Sequence, residues 1–347
     1  MLKTTRMIRL IGPIILVFLL VFCLSTTFAA DKEYEIYLLN VGMNNPYYIG
    51  IMKGAVVASR EYPNISLVNL DGREDTGYQA SQMLAAIAKG VDAILLDPMT
   101  SDALVPASKT AKAKGVPVFC VDRDISDASL RIAAVGSNQR LIGNVNAQYV
   151  VKFLEEKGFE KPWRIVILEG VAGALANTER TGGWYDILNP LIKNGDVEIV
   201  ADVPADWARE PALRVMSQIL VKTKDIDVVI ASNDEIVAGA ISALNVAGLE
   251  PGKDVYLTGV DVSQVGIDLI KKGQQLSSVC HQAWLQGYWG FKMAAEYLLE
   301  GKAPLKDKFE NNYIITPIFM VDQDNVDELS GPFGEPADPS KAPGLPY

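Results

Sequence analysis

Short apolar runs alternate with longer amphipathic segments along most of the chain. We predict strands at 36–41, 65–70, 93–96, 116–121, 163–168, 198–203, 228–231, 255–259 and 276–280. Between them lie segments with helical spacing of apolar residues, such as "TGYQASQMLAAIAKG" and "EIVAGAISALNVAG", and several end in the glycine that a helix C-cap prefers. The strands are continuously apolar, which indicates burial on both faces and therefore parallel sheets covered by helices.

The pattern breaks near Gly136, where the strand "RIAAVG" ends and a long helix-like segment from Asn138 to Lys157 follows. About nine strands would make one very wide sheet or two ordinary ones, and 347 residues are typical of two domains. We therefore predict two similar α/β lobes joined near this point. The last residues, 331–347, are rich in Pro and Gly, and we expect an extended or mobile terminus there.

The first residues have the layout of a secretory signal peptide. "MLKTTRMIR" carries three basic and no acidic groups, an apolar run of eleven residues begins at Ile14, and Thr27 and Ala29 give a small-x-small cleavage pattern. The run is shorter than the roughly 20 residues of a membrane span. We predict cleavage after residue 29 and export to the periplasm; an uncleaved anchor, or lipid modification at Cys23, are the alternatives.

The remaining composition excludes several function classes. Without the signal peptide, 29 Lys and Arg stand against 42 Asp and Glu, a formal charge of −13, which gives no electrostatic footprint for nucleic acid. A single histidine, His281, excludes metal clusters that need several imidazoles, and no cofactor motif is present. Cys120 and Cys280 lie in apolar runs; they are expected to be buried free thiols, with one disulfide as the alternative.

Polar and aromatic side chains follow nearly every predicted strand. Ligands of parallel sheets bind outside the carboxyl ends of the strands, so these positions are candidate site residues. They are Asn45, Tyr47, Tyr48, Asp122, Arg123, Arg180, Trp207, Asn233, Asp261 and His281. Helix caps and local ion pairs explain the Asn and Asp residues equally well, and the tyrosines could simply pack on a neighbouring element.

This combination suits a carbohydrate or polyol. Hydroxyl groups that both donate and accept match Asp, Asn and forked Arg side chains, and the C–H faces of a sugar stack on aromatic rings. An enzyme is the weaker alternative. No G-x-S-x-G elbow is present, and "GVAGAL" fails the dinucleotide pattern. Arg123 beside Asp122 would lower the pKa of that carboxyl, which is wrong for the general acid of a glycosidase.

Seven ordered motifs make the chain resemble the periplasmic ribose- and galactose-binding proteins of ABC importers. These are "NNPYY", "LLDPMTSDAL", "GVPVFCVDRD", "EGVAGALANTERTGGW", "PADWARE", "ASNDEIVAGAISAL" and "LTGVDVS". The resemblance implies two doubly wound lobes joined by a three-segment hinge. The expected boundaries are 30–136 plus 283–314 for the N-terminal lobe and 137–282 plus 315–330 for the C-terminal lobe. The ten residues named above are the expected ligand contacts.

The resemblance also implies what the protein does. We expect it to bind a monosaccharide or cyclic polyol by hinge closure and to deliver it, as a monomer, to a permease in the inner membrane. Trp207 resembles the tryptophan that the hexose binders carry at the corresponding position, and this resemblance favours a pyranose. At His281 related binders carry Gln or Asn, so either His281 or Gln282 is the contact, and binding through His281 would weaken at acidic pH. Alternatives are a ligand-presenting subunit for a chemoreceptor or sensor, and a binder of a non-sugar furanosyl signal.

Overall fold

In the computed structural model, which describes residues 32–301 and 310–346, twelve strands and nine helices alternate. The strands are β1 (Tyr34–Asn40), β2 (Ile65–Asp71), β3 (Ala93–Leu96), β4 (Val118–Asp122), β5 (Ala133–Gly136), β6 (Trp163–Glu169), β7 (Val197–Pro204), β8 (Val228–Ala231), β9 (Tyr256–Val260), β10 (Ser277–Cys280), β11 (Tyr313–Ile315) and β12 (Phe319–Asp322). The helices are α1 (Pro46–Ser59), α2 (Thr76–Lys89), α3 (Val105–Lys114), α4 (Gln139–Lys157), α5 (Leu175–Asn194), α6 (Arg209–Lys222), α7 (Asp234–Ala247), α8 (Gln264–Lys271) and α9 (Ala283–Glu300). The predicted signal peptide lies outside the described residues.

The strands form two six-stranded sheets with the same topology. Their orders are β11-β5-β4-β3-β1-β2 and β12-β10-β9-β8-β6-β7, and every pair is parallel except β10 with β12. The chain therefore passes between the sheets after β5, after β10 and between β11 and β12. This arrangement confirms the predicted fold of two doubly wound lobes with a three-segment hinge.

The inner strands are buried because both faces of each sheet are covered by helices. Every residue of β3, β5, β8 and β10 is buried, which explains their continuously apolar sequences. Helix ends follow the sequence signals: Asp75 caps α2 by accepting the backbone N–H of Tyr78, and Gly90 ends that helix in a left-handed conformation. No helix of the described residues is long and apolar enough to cross a membrane.

Two glycines allow α1 and α9 to cross in direct backbone contact. A Cβ atom on Gly54 would lie 1.8 Å from the carbonyl oxygen of Trp284, and one on Gly287 would lie 1.8 Å from that of Ile51. Any larger side chain at either position would therefore push the two helices apart. Because α9 also packs on β3, β4 and β5, helix α1 is fixed to the first sheet.

The described part of the C-terminal tail packs against the first lobe. Phe333 is buried in the core of that lobe, Ala342 and Leu345 pack against it, and Trp289 Nε1 donates a hydrogen bond of 2.8 Å to the carbonyl oxygen of Pro343. Three short 3-10 turns, Val326–Glu328, Pro332–Gly334 and Pro339–Lys341, connect these contacts. This segment is thus ordered by packing, unlike the extended or mobile terminus that its composition predicted.

Both cysteines of the described residues are free and buried, as the favoured alternative predicted. Cys120 belongs to a core cluster of the first lobe and Cys280 to one of the second. Since they lie in different cores, the alternative of a disulfide between them is wrong.

Candidate functional site

All ten predicted site residues line one small cavity of about 40 Å³ between the two lobes. Gln139 and Ala176 complete its wall. The cavity adjoins a wider cleft of about 1140 Å³, and both are lined by Asn45, Tyr48, Arg123 and Trp207. The prediction that polar groups at the strand ends converge is confirmed by this geometry, whereas their role as ligand contacts remains a proposal.

Helix α1 begins at the cavity, and its first turn presents two tyrosines. Asn45 is the N-cap residue: its side-chain oxygen accepts the backbone N–H of Tyr47 at 2.9 Å, and Pro46 occupies the first helical position. Tyr48 accepts a hydrogen bond of 2.7 Å from Arg123 Nη2 through its hydroxyl oxygen. Asn45 is therefore a helix cap, as one of the alternatives held, and the helix that it starts brings both tyrosines to the cavity.

Arg123 connects the two lobes across the cavity. It follows β4, where Asp122 has a left-handed φ of 60° and lies 3.6 Å from Arg123 Nε. The guanidinium lies 5.5 Å from the centre of the Tyr48 ring in the first lobe and 5.5 Å from that of Trp207 in the second. A cation that lies largely out of solvent between two rings gains from cation–π attraction, so these contacts favour the present spacing of the lobes.

A chain of hydrogen bonds runs from the first lobe to the second through His281. The Tyr47 hydroxyl lies 3.1 Å from Asp122 Oδ1 and 3.0 Å from His281 Nδ1, and the two rings stack with centroids 4.5 Å apart. On the other side His281 Nε2 lies 2.9 Å from Asp261 Oδ1. The histidine is 2% exposed, so each ring nitrogen depends on these partners rather than on water.

Burial keeps Asp261 and His281 uncharged near pH 7. It raises the pKa of Asp261 to about 8, and together with the nearby Arg180 cation it lowers the pKa of His281 to about 3. A protonated Asp261 then donates to His281 Nε2, His281 Nδ1–H donates to the Tyr47 oxygen, and Tyr47 donates to Asp122. Because His281 stays neutral down to about pH 3, the predicted loss of binding through its protonation would occur only in strong acid.

Three residues of the second lobe form the opposite wall. Asn233 caps α7, accepting the N–H of Ile236 at 2.9 Å, and donates at 3.2 Å to the carbonyl oxygen of Trp207. The edge of the indole packs against Gly170, where a Cβ atom would be 2.0 Å from Trp207 Nε1. Arg180 donates to the backbone oxygen of Ser232 and to Gln139 Oε1, and burial lowers its pKa.

Beneath the cavity, one hydrogen-bonded cluster joins all three hinge segments. Ser137 Oγ lies 3.0 Å from Thr316 Oγ1 and 3.1 Å from the carbonyl oxygen of His281. Gln286 of α9 donates to Ser137 Oγ at 2.7 Å, and its Oε1 lies 3.2 Å from the Tyr47 hydroxyl oxygen. The floor of the site is therefore tied directly to the hinge.

A family model described as the periplasmic binding protein domain matches residues 36–303. The chain belongs to this family. The ribose import binding protein RbsB of Bacillus subtilis is 30% identical over 282 residues, which cover 79% of this chain and 87% of that protein. The galactofuranose-binding protein YtfQ of Escherichia coli is 33% identical over 207 residues, which cover 58% of this chain and 63% of that protein. A crystal structure of a galactofuranose binding protein aligns with a TM-score of 0.76 at 26% identity, covering 85% of this chain and 96% of that one.

The family membership confirms the resemblance drawn from the seven motifs. The relatives are named as binding proteins, so the prediction that this periplasmic binding protein is not an enzyme is confirmed. His281 rather than Gln282 lines the cavity, because the Gln282 side chain turns away and donates to the carbonyl oxygen of Pro317 at 2.6 Å.

Sequence reasoning missed Gln139 and Gln286 in this binding protein. Gln139 is the first residue of α4, directly after a hinge segment, and its oxygen orients the Arg180 guanidinium. Gln286 is fully buried inside the apolar stretch "AWLQGYW". A buried amide in such a stretch needs polar partners, and that signal could have identified it.

Proposed function

We propose that this chain is the solute-binding component of an ABC importer and captures a monosaccharide or cyclic polyol between its lobes. The observation that carries the proposal is the convergence of carboxyl, amide, guanidinium and aromatic groups from both lobes on one cavity. Similarity to import binding proteins for ribose supports it. We further propose export to the periplasm by the predicted signal peptide, a monomeric protein, and an inner-membrane permease as the partner.

Binding requires both lobes, so a ligand shifts the population towards closure. In the first lobe the contacts would come from Asn45, Tyr47, Tyr48, Asp122 and Arg123, in the second from Arg180, Trp207, Asn233 and Asp261, with His281 at the crossover. An open state would separate these groups and lose half of them. The lobe boundaries 30–136 plus 283–314 and 137–282 plus 315–330 are part of this proposal; the sheet to which each strand belongs supports them except at Ile315, which is the last residue of β11 in the first sheet.

We propose a six-membered ring as the preferred ligand. The Trp207 indole is wide, and one edge lies on Gly170 while Trp207 Nε1 donates to Ser232 Oγ at 3.2 Å, so the ring is held in one orientation. A fixed indole offers a broader stacking surface to a pyranose than to a furanose. Two of the relatives are named for galactofuranose, which makes a furanose the alternative to test.

The test is a thermal-shift screen of the chain from Ala30 against pentoses, hexoses, inositols and linear polyols, followed by calorimetry. A single pyranose or inositol that raises the melting temperature with concentration is the expected result. A furanose hit would overturn the ring-size proposal only. No response to any sugar or polyol would overturn the function.

A matched pair of arginine variants tests whether the ligand-induced shift in melting temperature depends on the cavity between the lobes. Arg180→Ala removes a buried guanidinium from the cavity, and the melting-temperature shift should disappear at ligand concentrations that saturate the wild type. Arg140→Ala removes a half-exposed guanidinium that pairs with Asp186 outside the cavity and should leave the shift intact. Equal shifts in the two variants would contradict the site assignment.

A further inference from the structure

A short segment of the C-terminal tail lies between the lobes beside the binding cavity. We call residues 331–335, "GPFGE", the C-terminal plug. It lies outside the part of the chain that the family model matches, which ends at residue 303. Phe333 at its centre is only 6% exposed although the tail has no core of its own. Its side chain is therefore buried by the first lobe, in whose core cluster it lies.

In the first lobe the plug packs against helix α1. The Phe333 ring meets the Tyr47 ring edge to face, with centroids 6.0 Å apart and planes at 84°. It also covers Gly50, where a Cβ atom would lie 3.2 Å from the phenyl ring. Tyr47 is the residue whose hydroxyl joins Asp122, His281 and Gln286, so Phe333 supports the ring that carries this hydrogen-bond centre.

In the second lobe the plug contacts the turn that follows β9. The backbone N–H of Phe333 donates to the carbonyl oxygen of Val262 at 2.9 Å, directly after the site residue Asp261. A cavity of about 170 Å³ is lined jointly by Pro332, Phe333, the first turns of α1 and residues 263–265. Gly334 lies against Gln282, the neighbour of His281. The plug thus touches elements of both lobes and of the hinge.

The backbone on both sides of this contact is held in an uncommon conformation. Phe333, Val262 and Gln282 have φ values of 57°, 54° and 57°, in the left-handed region that non-glycine residues rarely adopt. For a β-branched residue such as Val262 this is an outlier. Such conformations persist only where the surroundings determine them, so the plug and the turn of Val262 fix each other.

We propose that the C-terminal plug is a latch that stabilises the closed arrangement of the lobes and positions Tyr47 and Asp261. Its contacts with α1 and with Val262 form together only at the present spacing of the lobes. An interaction made in one state alone shifts the population towards that state. The proposal rests on the lobe closure that the proposed function requires, and it adds a part of the chain that does not line the binding cavity.

The test measures lobe spacing without ligand. Spin labels are placed by Asp102→Cys and Ala172→Cys, two exposed positions on the walls of the cleft, and pulsed electron paramagnetic resonance gives the distance distribution. Cys120 and Cys280 are fully buried and take no label. In Phe333→Ala the ratio of closed to open molecules should fall about tenfold, equivalent to about 1.4 kcal/mol. Leu345→Ala, a tail variant whose side chain packs against the core of the first lobe, should resemble the wild type.

Phe333→Asn provides a second variant, because asparagine tolerates the left-handed conformation and leaves only the ring contacts missing. It should open the lobes as Phe333→Ala does, with a native circular dichroism spectrum. Wild-type distances in either folded variant would overturn the latch, and so would a failure of both variants to fold, since a latch leaves each lobe intact. The measurement needs no sugar, so opening of the variants combined with a negative sugar screen would refute the function and retain the latch.

Discussion

Asp261→Asn tests the proton that we place between the lobes. In the wild type the buried carboxyl has its pKa raised from 3.8 to about 8 and donates its proton to His281 Nε2. An asparagine amide has the same shape and donates to the same nitrogen, but it cannot ionise. The variant should therefore keep the hydrogen-bond chain at neutral pH and lose one titrating group.

The size of the effect follows from the raised pKa. Between its unfolded and folded pKa values, Asp261 binds a proton in the native state only, so its contribution to stability is full below about pH 4 and is lost as the pH rises towards 8. Within that range one proton corresponds to about 1.4 kcal/mol per pH unit. The free energy of unfolding of the wild type minus that of Asp261→Asn should fall by this amount between pH 6.5 and 7.5 and level off above about pH 8.5.

The assay is urea denaturation at half-unit pH steps, and the comparison cancels the titrating groups that do not interact with Asp261. Burial and the charge of Asp261 raise the pKa of Asp234 to about 7, so Asp234 cancels in the comparison only where Asp261 is protonated. Glu156→Gln is the matched control, because it replaces a carboxyl that is 66% exposed and pairs with Lys152 on the surface. A difference between wild type and Asp261→Asn that is constant with pH would refute the neutral chain through His281.

Three further predictions concern affinity, stability and thiol access. Asp122→Ala should weaken binding of the ligand found by the screen about 10- to 100-fold, equivalent to about 1.5–3 kcal/mol, and unchanged calorimetric affinity would contradict its placement. Tyr47→Phe leaves His281 Nδ1–H without its acceptor and should lower the free energy of unfolding by about 1–3 kcal/mol in urea; wild-type stability would argue against that bond. Cys120 and Cys280 are buried, and burial raises the pKa of both thiols, to about 12 for Cys280. Both should react with a disulfide reagent only after unfolding, whereas immediate reaction of the native protein would contradict their burial.

The sequence was sufficient for the lobes because parallel strands buried on both faces leave an unambiguous apolar pattern. Ten of the twelve strands of the described residues, including the one that ends at Gly136, were anticipated. β11 and β12 were missed as strands because they have only three and four residues and include exposed side chains such as Ile315 and Phe319. Both are edge strands. Because one face or edge of such a strand meets solvent, its sequence lacks the continuous apolar run of a buried strand.

The site was predictable to the extent that it follows the strand ends. Asp122 is the last residue of β4, and Asp261 directly follows β9. Ligands of parallel sheets bind outside the carboxyl ends of the strands, so both residues were expected at the site. Gln286 lies in the first turns of a helix and approaches the cavity only because α9 packs beside α1. The contact of Phe333 with Tyr47 joins residues that are far apart in the chain, and a tail of turn-forming residues gives no periodic signal. Tertiary packing decides such contacts.

The glycine crossing of α1 and α9 has a consequence for how ligand preference can evolve. Helix α1 carries Tyr47 and Tyr48 and is capped by Asn45, and its backbone touches that of α9 at Gly54 and Gly287. This wall of the cavity therefore cannot tilt unless the two helices separate. Most of the opposite wall is built from turns, with Trp207 following β7 and Asn233 preceding α7, while Arg180 lies on α5. New specificities should therefore arise first by substitutions in the turns of the second lobe, while the first lobe keeps one fixed recognition surface.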